Sequence, residues 1–108
     1  MTDKAILWLG SSRSDVPAFP RNARHLAGFQ LRLVQQGLVP LDWKPMPTIG
    51  PGVREIRIHT AVEHRVCYVA KFAEAIYVLH AFEKRTRKTS QHDVEFARQR
   101  YQALVAQR

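Results

Sequence analysis

The strongest chemical feature of the sequence is a set of cationic residues with aromatic rings among them. The cations are Arg54, Arg57, Arg65, Lys84, Arg85, Arg87 and Lys88, and the rings are those of Tyr68, His80 and Phe82. An arginine held on a rigid strand can bind two phosphate oxygens at once, and an aromatic ring can stack on an unpaired base. The pattern predicts a surface for single-stranded nucleic acid, against the alternative that these are exposed or packed side chains of an ordinary sheet.

The cations are densest where the apolar run of residues 78–82 ends. Residues 78–89 read VLHAFEKRTRKT, so four lysines and arginines lie within residues 84–88. Charges that served solubility alone would be scattered over the chain. A rigid strand ending in a cationic cluster is the arrangement that phosphate positioning requires.

Other kinds of site have weaker support. Cys67 lies in the middle of a predicted strand, which is typical of a small buried thiol rather than a nucleophile. His59, Glu63 and His64 could meet across a hairpin, but no further ligand follows at a known metal-site spacing. We therefore predict no metal and no cofactor.

Composition limits the class of protein. The chain has 108 residues, a formal net charge of +8 and one cysteine, which predicts one domain over residues 1–108 with no internal disulfide. Its longest apolar run, residues 5–9, is too short to cross a bilayer. The positive charge predicts a polyanion as partner, and the single cysteine is typical of a cytoplasmic protein.

Apolar spacing and turn residues predict seven elements. They are a buried strand over residues 4–9, a short helix beginning at Ser14, a longer helix over residues 23–34 that ends before Gly37, strands over residues 53–59, 62–72 and 75–82, and a C-terminal helix capped by Ser90. Within this last helix, Val94, Ala97, Tyr101, Leu104 and Val105 are predicted to face inward. Residues 38–52 contain four prolines and two glycines and predict an ordered loop.

The predicted fold is α+β in the order β-α-α-β-β-β-α. We expect an antiparallel sheet with two N-terminal helices and a C-terminal helix, the helices covering one face and leaving part of the other open. Because side chains alternate along a strand, His80 and Phe82 are predicted to share a face with Ile76 and Val78, as part of the core.

Residues 52–89 resemble the core of the RelE superfamily, and more closely the HigB-type, phage-related toxins of type II toxin–antitoxin pairs. The resemblance rests on the ordered combination of KPMP at 44–47, REIRI at 54–58, HRVCYV at 64–69 and HAFEKRTRKT at 80–89. It extends over nearly the whole chain. It implies a RelE-like fold and a metal-independent, ribosome-dependent endoribonuclease that cleaves mRNA.

In the chemistry that this resemblance implies, a ribose 2′-hydroxyl attacks the adjacent phosphate. Arg65 matches the arginine that stabilises the transition-state charge, and Lys84 and Arg85 match the basic pair at the scissile phosphate. Arg54 and Arg57 match strand cations that grip the RNA backbone.

The reaction also needs a base and an acid for proton transfer. His80 is our candidate, because it adjoins the cationic cluster and its ordinary pKa suits proton transfer near neutral pH. His92 and Tyr101 are further candidates, but neither lies in a motif that matches the family.

The resemblance implies two partners, mRNA on the ribosome and a helix-turn-helix antitoxin that forms a hetero-oligomer with this chain, and no membrane. Two alternatives stay open at the level of sequence. One is a nucleic-acid-binding domain without catalysis. The other is a diverged, inactive toxin that still binds an antitoxin.

Overall fold

The computed structural model describes residues 3–108, which form five strands and three helices. The strands are β1 (Ala5–Trp8), β2 (Trp43–Pro45), β3 (Val53–His59), β4 (Glu63–Val69) and β5 (Ala75–Glu83). The helices are α1 (Ser12–Asp15), α2 (Arg21–Gln35) and α3 (Gln91–Gln107). The α+β prediction is confirmed, and the strand β2 is an addition to the predicted order.

The five strands form one mixed sheet in the order β1-β5-β4-β3-β2. Strands β2 to β5 are antiparallel to their neighbours, whereas β1 runs parallel to β5. The prediction of a wholly antiparallel sheet was therefore wrong for β1. No hairpin joins β1 to β5, so the connection does not impose an antiparallel pairing.

Strand β1 is less buried than predicted. Its residues alternate between exposed and half-buried, and Leu7 is exposed. The strand lies at the edge of the sheet and pairs with β5 alone, so only one neighbouring strand shields it. The predicted strand within residues 4–9 is confirmed by β1, but its predicted burial was wrong.

Three local boundaries also differ from the prediction. Helix α1 is complete before Pro17, which lacks the N–H needed to continue it, and its N-cap is Ser11. Strand β2 forms within the predicted loop, where Pro45 is tolerated because the strand is at an edge. Strand β4 ends at Val69, earlier than predicted.

The helices pack on both faces of the sheet. Helix α2 buries Ala23, Ala27 and Leu31 against one face, which we call the α2 face. Helix α3 buries Val94 and Ala97 against the other, which we call the α3 face. The prediction that helices cover only one face was wrong, because the short link after β5 leads α3 across the opposite side. Val105, predicted to face inward from α3, is exposed.

A bulge changes which residues of β5 reach the α3 face. Tyr68 pairs with Val78 but Cys67 pairs with His80, so Leu79 is an extra residue in β5. Beyond the bulge, His80 and Phe82 therefore share the face of Cys67. The prediction that they lie with Val78 was wrong, because simple alternation ignores the inserted residue.

Candidate functional site

Two arginines and a phenylalanine from three adjacent strands meet on the α3 face at the end of the sheet where β5 terminates. Arg57 of β3 lies opposite Arg65 of β4, which lies opposite Phe82 of β5. Directly opposed residues project from the same face. Arg65 and Phe82 of the predicted site are thus neighbours, and Arg57 completes the row.

At the centre of this region lies a buried ion pair between Arg65 and Glu55. The side chain of Arg65 is 3% exposed and that of Glu55 is 0% exposed, with Arg65 Nε 3.5 Å from Glu55 Oε1. Neither atom has a hydrogen-bond partner among the described residues. Buried polar atoms without hydrogen-bond partners are costly and uncommon, which sets this ion pair apart from the other contacts of the sheet.

The other contacts of the pair come from surrounding elements. Arg65 donates through Nη2 to Glu63 Oε1 at 3.0 Å and through Nη1 to a backbone carbonyl. Glu55 Oε2 accepts a hydrogen bond from the Thr89 hydroxyl at 2.7 Å. Lys44 Nζ, delivered by β2 directly opposite Glu55, is 3.9 Å from its Oε1. Both charges are therefore held in place from several sides.

Glu55 was missed at the sequence level. Its alternation with apolar residues in REIRI favoured an exposed charged side of a strand. The signal that could have found it is its position beside Arg57, on the same face as the arginine of the next strand. Only the pairing of strands shows that this face is covered by α3 and the segment after β5.

Lys84 and Arg85 begin that segment. The Lys84 backbone donates to the carbonyl of Glu63, and its Nζ donates to the carbonyl of Arg87 at 2.6 Å. Partial burial, followed by the nearby positive charge of Arg65, lowers the pKa of Lys84 below its ordinary value. A lysine that releases its proton more readily is better suited to proton transfer.

Arg85, Arg87 and Lys88 form an exposed rim beside this lysine. The guanidinium of Arg85 lies 3.4 Å from Glu83. A cavity of about 200 Å³ adjoins the rim, lined by Glu83, Lys84, Arg85, Thr86, Ser90 and Asp93. The rim is open to solvent, so its cationic side chains are accessible to a polyanion.

His80 is nearly buried and both ring nitrogens are occupied. Arg100 Nη1 donates to Nδ1 at 3.2 Å, so Nε2 carries the proton that faces Asp93 Oδ1 at 2.7 Å. The ring stacks on Phe82 with centroids 5.0 Å apart. In this arrangement His80 orients its neighbours and has no free nitrogen for a substrate.

The start of α3 supplies the carboxylate that holds His80. Ser90 accepts the Asp93 N–H at 3.1 Å and donates its hydroxyl to Asp93 Oδ2 at 2.6 Å. The predicted cap at Ser90 is confirmed. It begins the helix and also directs the Asp93 side chain.

Arg54 and Tyr68 are not brought to this region. They pair with each other across β3 and β4 but project from the α2 face. The Arg54 guanidinium lies 4.3 Å above the Trp43 ring, and Tyr68 is fully buried, which raises the pKa of its hydroxyl. The structure therefore separates these two predicted RNA-binding residues from Arg57 and Arg65.

His59 links the site to two acidic residues. Its Nδ1 lies 2.8 Å from Glu63 Oε1, and its Nε2 lies 2.6 Å from Asp42 Oδ2. Hydrogen bonds to Glu63 and then to Asp42 raise the pKa of His59, and the bond from His59 lowers the pKa of Glu63. Since Glu63 also accepts a hydrogen bond from Arg65, this series of side-chain contacts connects the hairpin of β3 and β4 to the buried pair of Arg65 and Glu55.

The remaining candidates lie elsewhere. Tyr101 donates to the Pro51 carbonyl at 3.1 Å and accepts from Lys71, so it fixes the loop before β3. His92 packs edge-on against Phe96 at the start of α3. Cys67 is buried, which raises the pKa of its thiol and confirms the prediction of a core residue.

Two classes of feature are not found over residues 3–108. Within this range, no three His, Cys, Asp or Glu side chains are grouped so that they could hold a metal ion. At His59, for example, the carboxylates of Glu63 and Asp42 contact different ring nitrogens. None of the three helices in the same range is long and apolar enough to cross a membrane.

Comparison with known protein families finds a match over most of the chain. The family described as "Phage derived protein Gp49-like (DUF891)" matches residues 14–102. Because the match covers most of the chain, the protein belongs to this phage-derived family, which is RelE-like and toxin-like. A search of curated proteins finds no significant match. The prediction of a phage-related, toxin-like protein is confirmed at the level of this family, and the specific RelE and HigB assignments stay predictions.

Proposed function

We propose that this protein is the toxin of a type II toxin–antitoxin pair, a metal-independent, ribosome-dependent endoribonuclease acting in the cytoplasm. Membership of a phage-derived, toxin-like family supports the class. The proposal of RNA cleavage rests on the buried pair of Arg65 and Glu55, whose facing atoms lack hydrogen-bond partners among the described residues. RNA cleavage by a 2′-hydroxyl needs such a cation and base side by side.

In the proposed reaction, Glu55 accepts the proton of the 2′-hydroxyl as that oxygen attacks the adjacent phosphorus. The Thr89 hydroxyl donates to Glu55 Oε2 at 2.7 Å, which is the contact that a ribose hydroxyl would make. The phosphorus forms a bond to the 2′-oxygen and loses its bond to the 5′-oxygen. The products are a 2′,3′-cyclic phosphate and a free 5′-hydroxyl.

Cations support this step. Arg65 stabilises the added charge on the pentacovalent phosphate, and Arg57 and Arg85 position the backbone. Lys84, whose pKa is lowered, supplies the proton to the leaving 5′-oxygen. Glu55 and Lys84 thus take the proton-transfer role that was predicted for His80, whose nitrogens are occupied by Asp93 and Arg100.

Access to the pair requires movement of the segment of residues 84–89. Arg65 and Glu55 are buried, and Thr89 occupies one oxygen of the carboxylate. Phosphates bound by the exposed rim of Arg85, Arg87 and Lys88 would draw this segment outward as RNA binds. Catalysis is then coupled to binding of the backbone.

The test is induced expression in a bacterial host without the antitoxin, with mRNA 5′-ends mapped. We expect growth arrest and new ends in phase with codons, lost with Arg65→Lys, which keeps the charge but not the planar fork. Arg13→Lys is the matched control, since Arg13 is exposed beyond β1. Cleavage that persists in Arg65→Lys, or that arises equally in ribosome-free RNA, would contradict the mechanism or the ribosome dependence.

The burial of Arg65 and the occupied nitrogens of His80 favour one second candidate, a diverged toxin that binds RNA or its helix-turn-helix antitoxin without cleaving. The same expression experiment separates the two functions. Normal growth and intact mRNA, together with RNA binding that weakens steeply with salt, would support the binding protein.

A further inference from the structure

One flank of α2 exposes apolar side chains instead of burying them. Helix α2 buries Ala23, Ala27 and its other core residues on one side. Leu26, Phe29 and Leu33 follow each other at helical spacing along a different side. Leu26 and Phe29 are exposed, Phe29 at 48%, and Leu33 is half-buried. None of these three side chains belongs to the core that α2 forms with the sheet.

The loop after α2 continues the same surface. Leu38, Val39 and Leu41 are exposed, with Leu41 at 71%. The loop is fixed to the helix, because the Leu38 N–H donates to the carbonyl of Leu33 at 3.0 Å. The Leu41 N–H donates to the Gln30 side chain at 3.1 Å.

We call this surface the apolar ridge. Its members are Leu26, Phe29, Leu33, Leu38, Val39 and Leu41. Because hydrogen bonds hold the loop against the helix, the ridge is formed before any partner binds.

A ridge of this kind indicates a protein partner rather than RNA. Clustered apolar side chains exposed on a small protein mark interaction sites. Nucleic-acid interfaces are polar and positively charged, which describes the rim of residues 84–88 on the other side of the sheet. Apart from Phe29, the side chains of the ridge are aliphatic and offer a nucleic acid neither hydrogen bonds nor stacking.

Charge around the ridge selects among protein partners. Residues 16–41 contain three arginines and one histidine and neither Asp nor Glu. Arg21, Arg24 and His25 are exposed on α2, and Arg32 forms an ion pair with Asp3. A second copy of this basic chain would bring like charges together, whereas an acidic partner would neutralise them.

We propose that the apolar ridge docks an acidic amphipathic helix of a partner protein. The exposed apolar side chains of α2 and of the fixed loop suit the apolar stripe of a helix. Glutamates bordering that stripe would meet the arginines of α2. The proposal rests on the proposed function only in that the partner is then the antitoxin.

Docking here would also reach the catalytic region. Gln30 accepts hydrogen bonds from the N–H groups of both Leu41 and Asp42, at 3.1 and 3.3 Å. Asp42 binds His59, which binds Glu63 beside Arg65. A partner that shifts the loop therefore acts on the arginine without covering it.

The experiment uses the full chain labelled with ¹⁵N and a synthetic helical peptide with leucines along one side and glutamates on its borders. We expect saturable binding with chemical-shift changes at the ridge and its loop. A peptide with lysines in place of the glutamates should not bind, and neither should one with its leucines scrambled among the polar positions.

Two variants give matched tests of the surface. Phe29→Asp places a charge in the ridge and should weaken peptide binding by about tenfold or more. Val105→Asp, an equally exposed apolar position on α3, should leave binding within about twofold. RNA cleavage by Phe29→Asp should persist. Peptide binding therefore tests the docking proposal and RNA cleavage tests the nuclease proposal, and either can fail without the other.

Four outcomes would overturn the proposal. They are absence of saturable binding, shifts confined to residues 84–88, equal binding of the lysine peptide, and a dimer of this chain that Phe29→Asp dissociates. The last outcome would assign the ridge to a second copy.

Discussion

The buried pair of Arg65 and Glu55 makes Glu55→Gln the most informative substitution. It removes one charge at a side chain that is 0% exposed and keeps nearly the same shape. Breaking a buried ion pair costs about 3–5 kcal/mol. The cost here should be smaller, since the 3.5 Å pair lacks a hydrogen bond and Arg65 keeps its bond to Glu63 at 3.0 Å.

The amide oxygen of a glutamine can still accept the Thr89 hydroxyl, so that contact survives. We therefore expect the free energy of unfolding to fall by about 1–3 kcal/mol. At this chain length each 1 kcal/mol lowers the unfolding midpoint by about 4 °C. Cleavage should fall by about 10²–10⁴-fold, the usual contribution of a general base.

The assays are thermal unfolding followed by circular dichroism, ribosome-dependent cleavage below the unfolding midpoint, and RNA affinity. The affinity for RNA should change little, since the variant gains one positive charge and so loses no attraction to the phosphates. Glu95→Gln is the control, because its carboxylate is partly exposed and bound to Arg98 on α3. A folded Glu55→Gln that cleaves as fast as the control would refute Glu55 as the base, and an unchanged midpoint would refute the energetic reasoning.

Three further substitutions test the structure. The folded pKa of His59 is raised above 6.5 and that of Glu63 is lowered below 4.5, so their contact should stabilise the protein most between pH 4.5 and 6.5. The stabilisation should weaken as the pH rises through the His59 pKa or falls through the Glu63 pKa. A plot of the unfolding midpoint against pH should lose this dependence in His59→Gln, and an unchanged profile would contradict the contact. Ser90→Ala removes the cap of α3 and should cost about 1 kcal/mol in urea unfolding, with no change expected if the cap were absent. Gly50→Ala would bring a methyl within 2.5 Å of the Tyr101 ring and should cost about 1–3 kcal/mol, whereas a neutral effect would mean that the ring moves freely.

Much of the local structure could be predicted from neighbouring residues. The presence of α2, the bounds of β3 and the cap at Ser90 depend on spacing over a few residues. Gly37 ends the α2 region with a positive φ of 83°, which glycine adopts without strain. These elements followed from sequence because the interactions that form them lie within a turn or two of the chain.

The candidate site depended on strands that are distant in the sequence. Glu55 is buried only because β2 and the segment after β5 enclose it from two sides. His80 and Phe82 face α3 only because of the extra residue in β5, and Arg54 is separated from Arg57 by strand alternation. The cationic residues, and the resemblance of the sequence to a toxin family, could be identified from the sequence. Which of them share one face was decided by pairing and register, because a shift of one residue turns a side chain to the opposite side of the sheet.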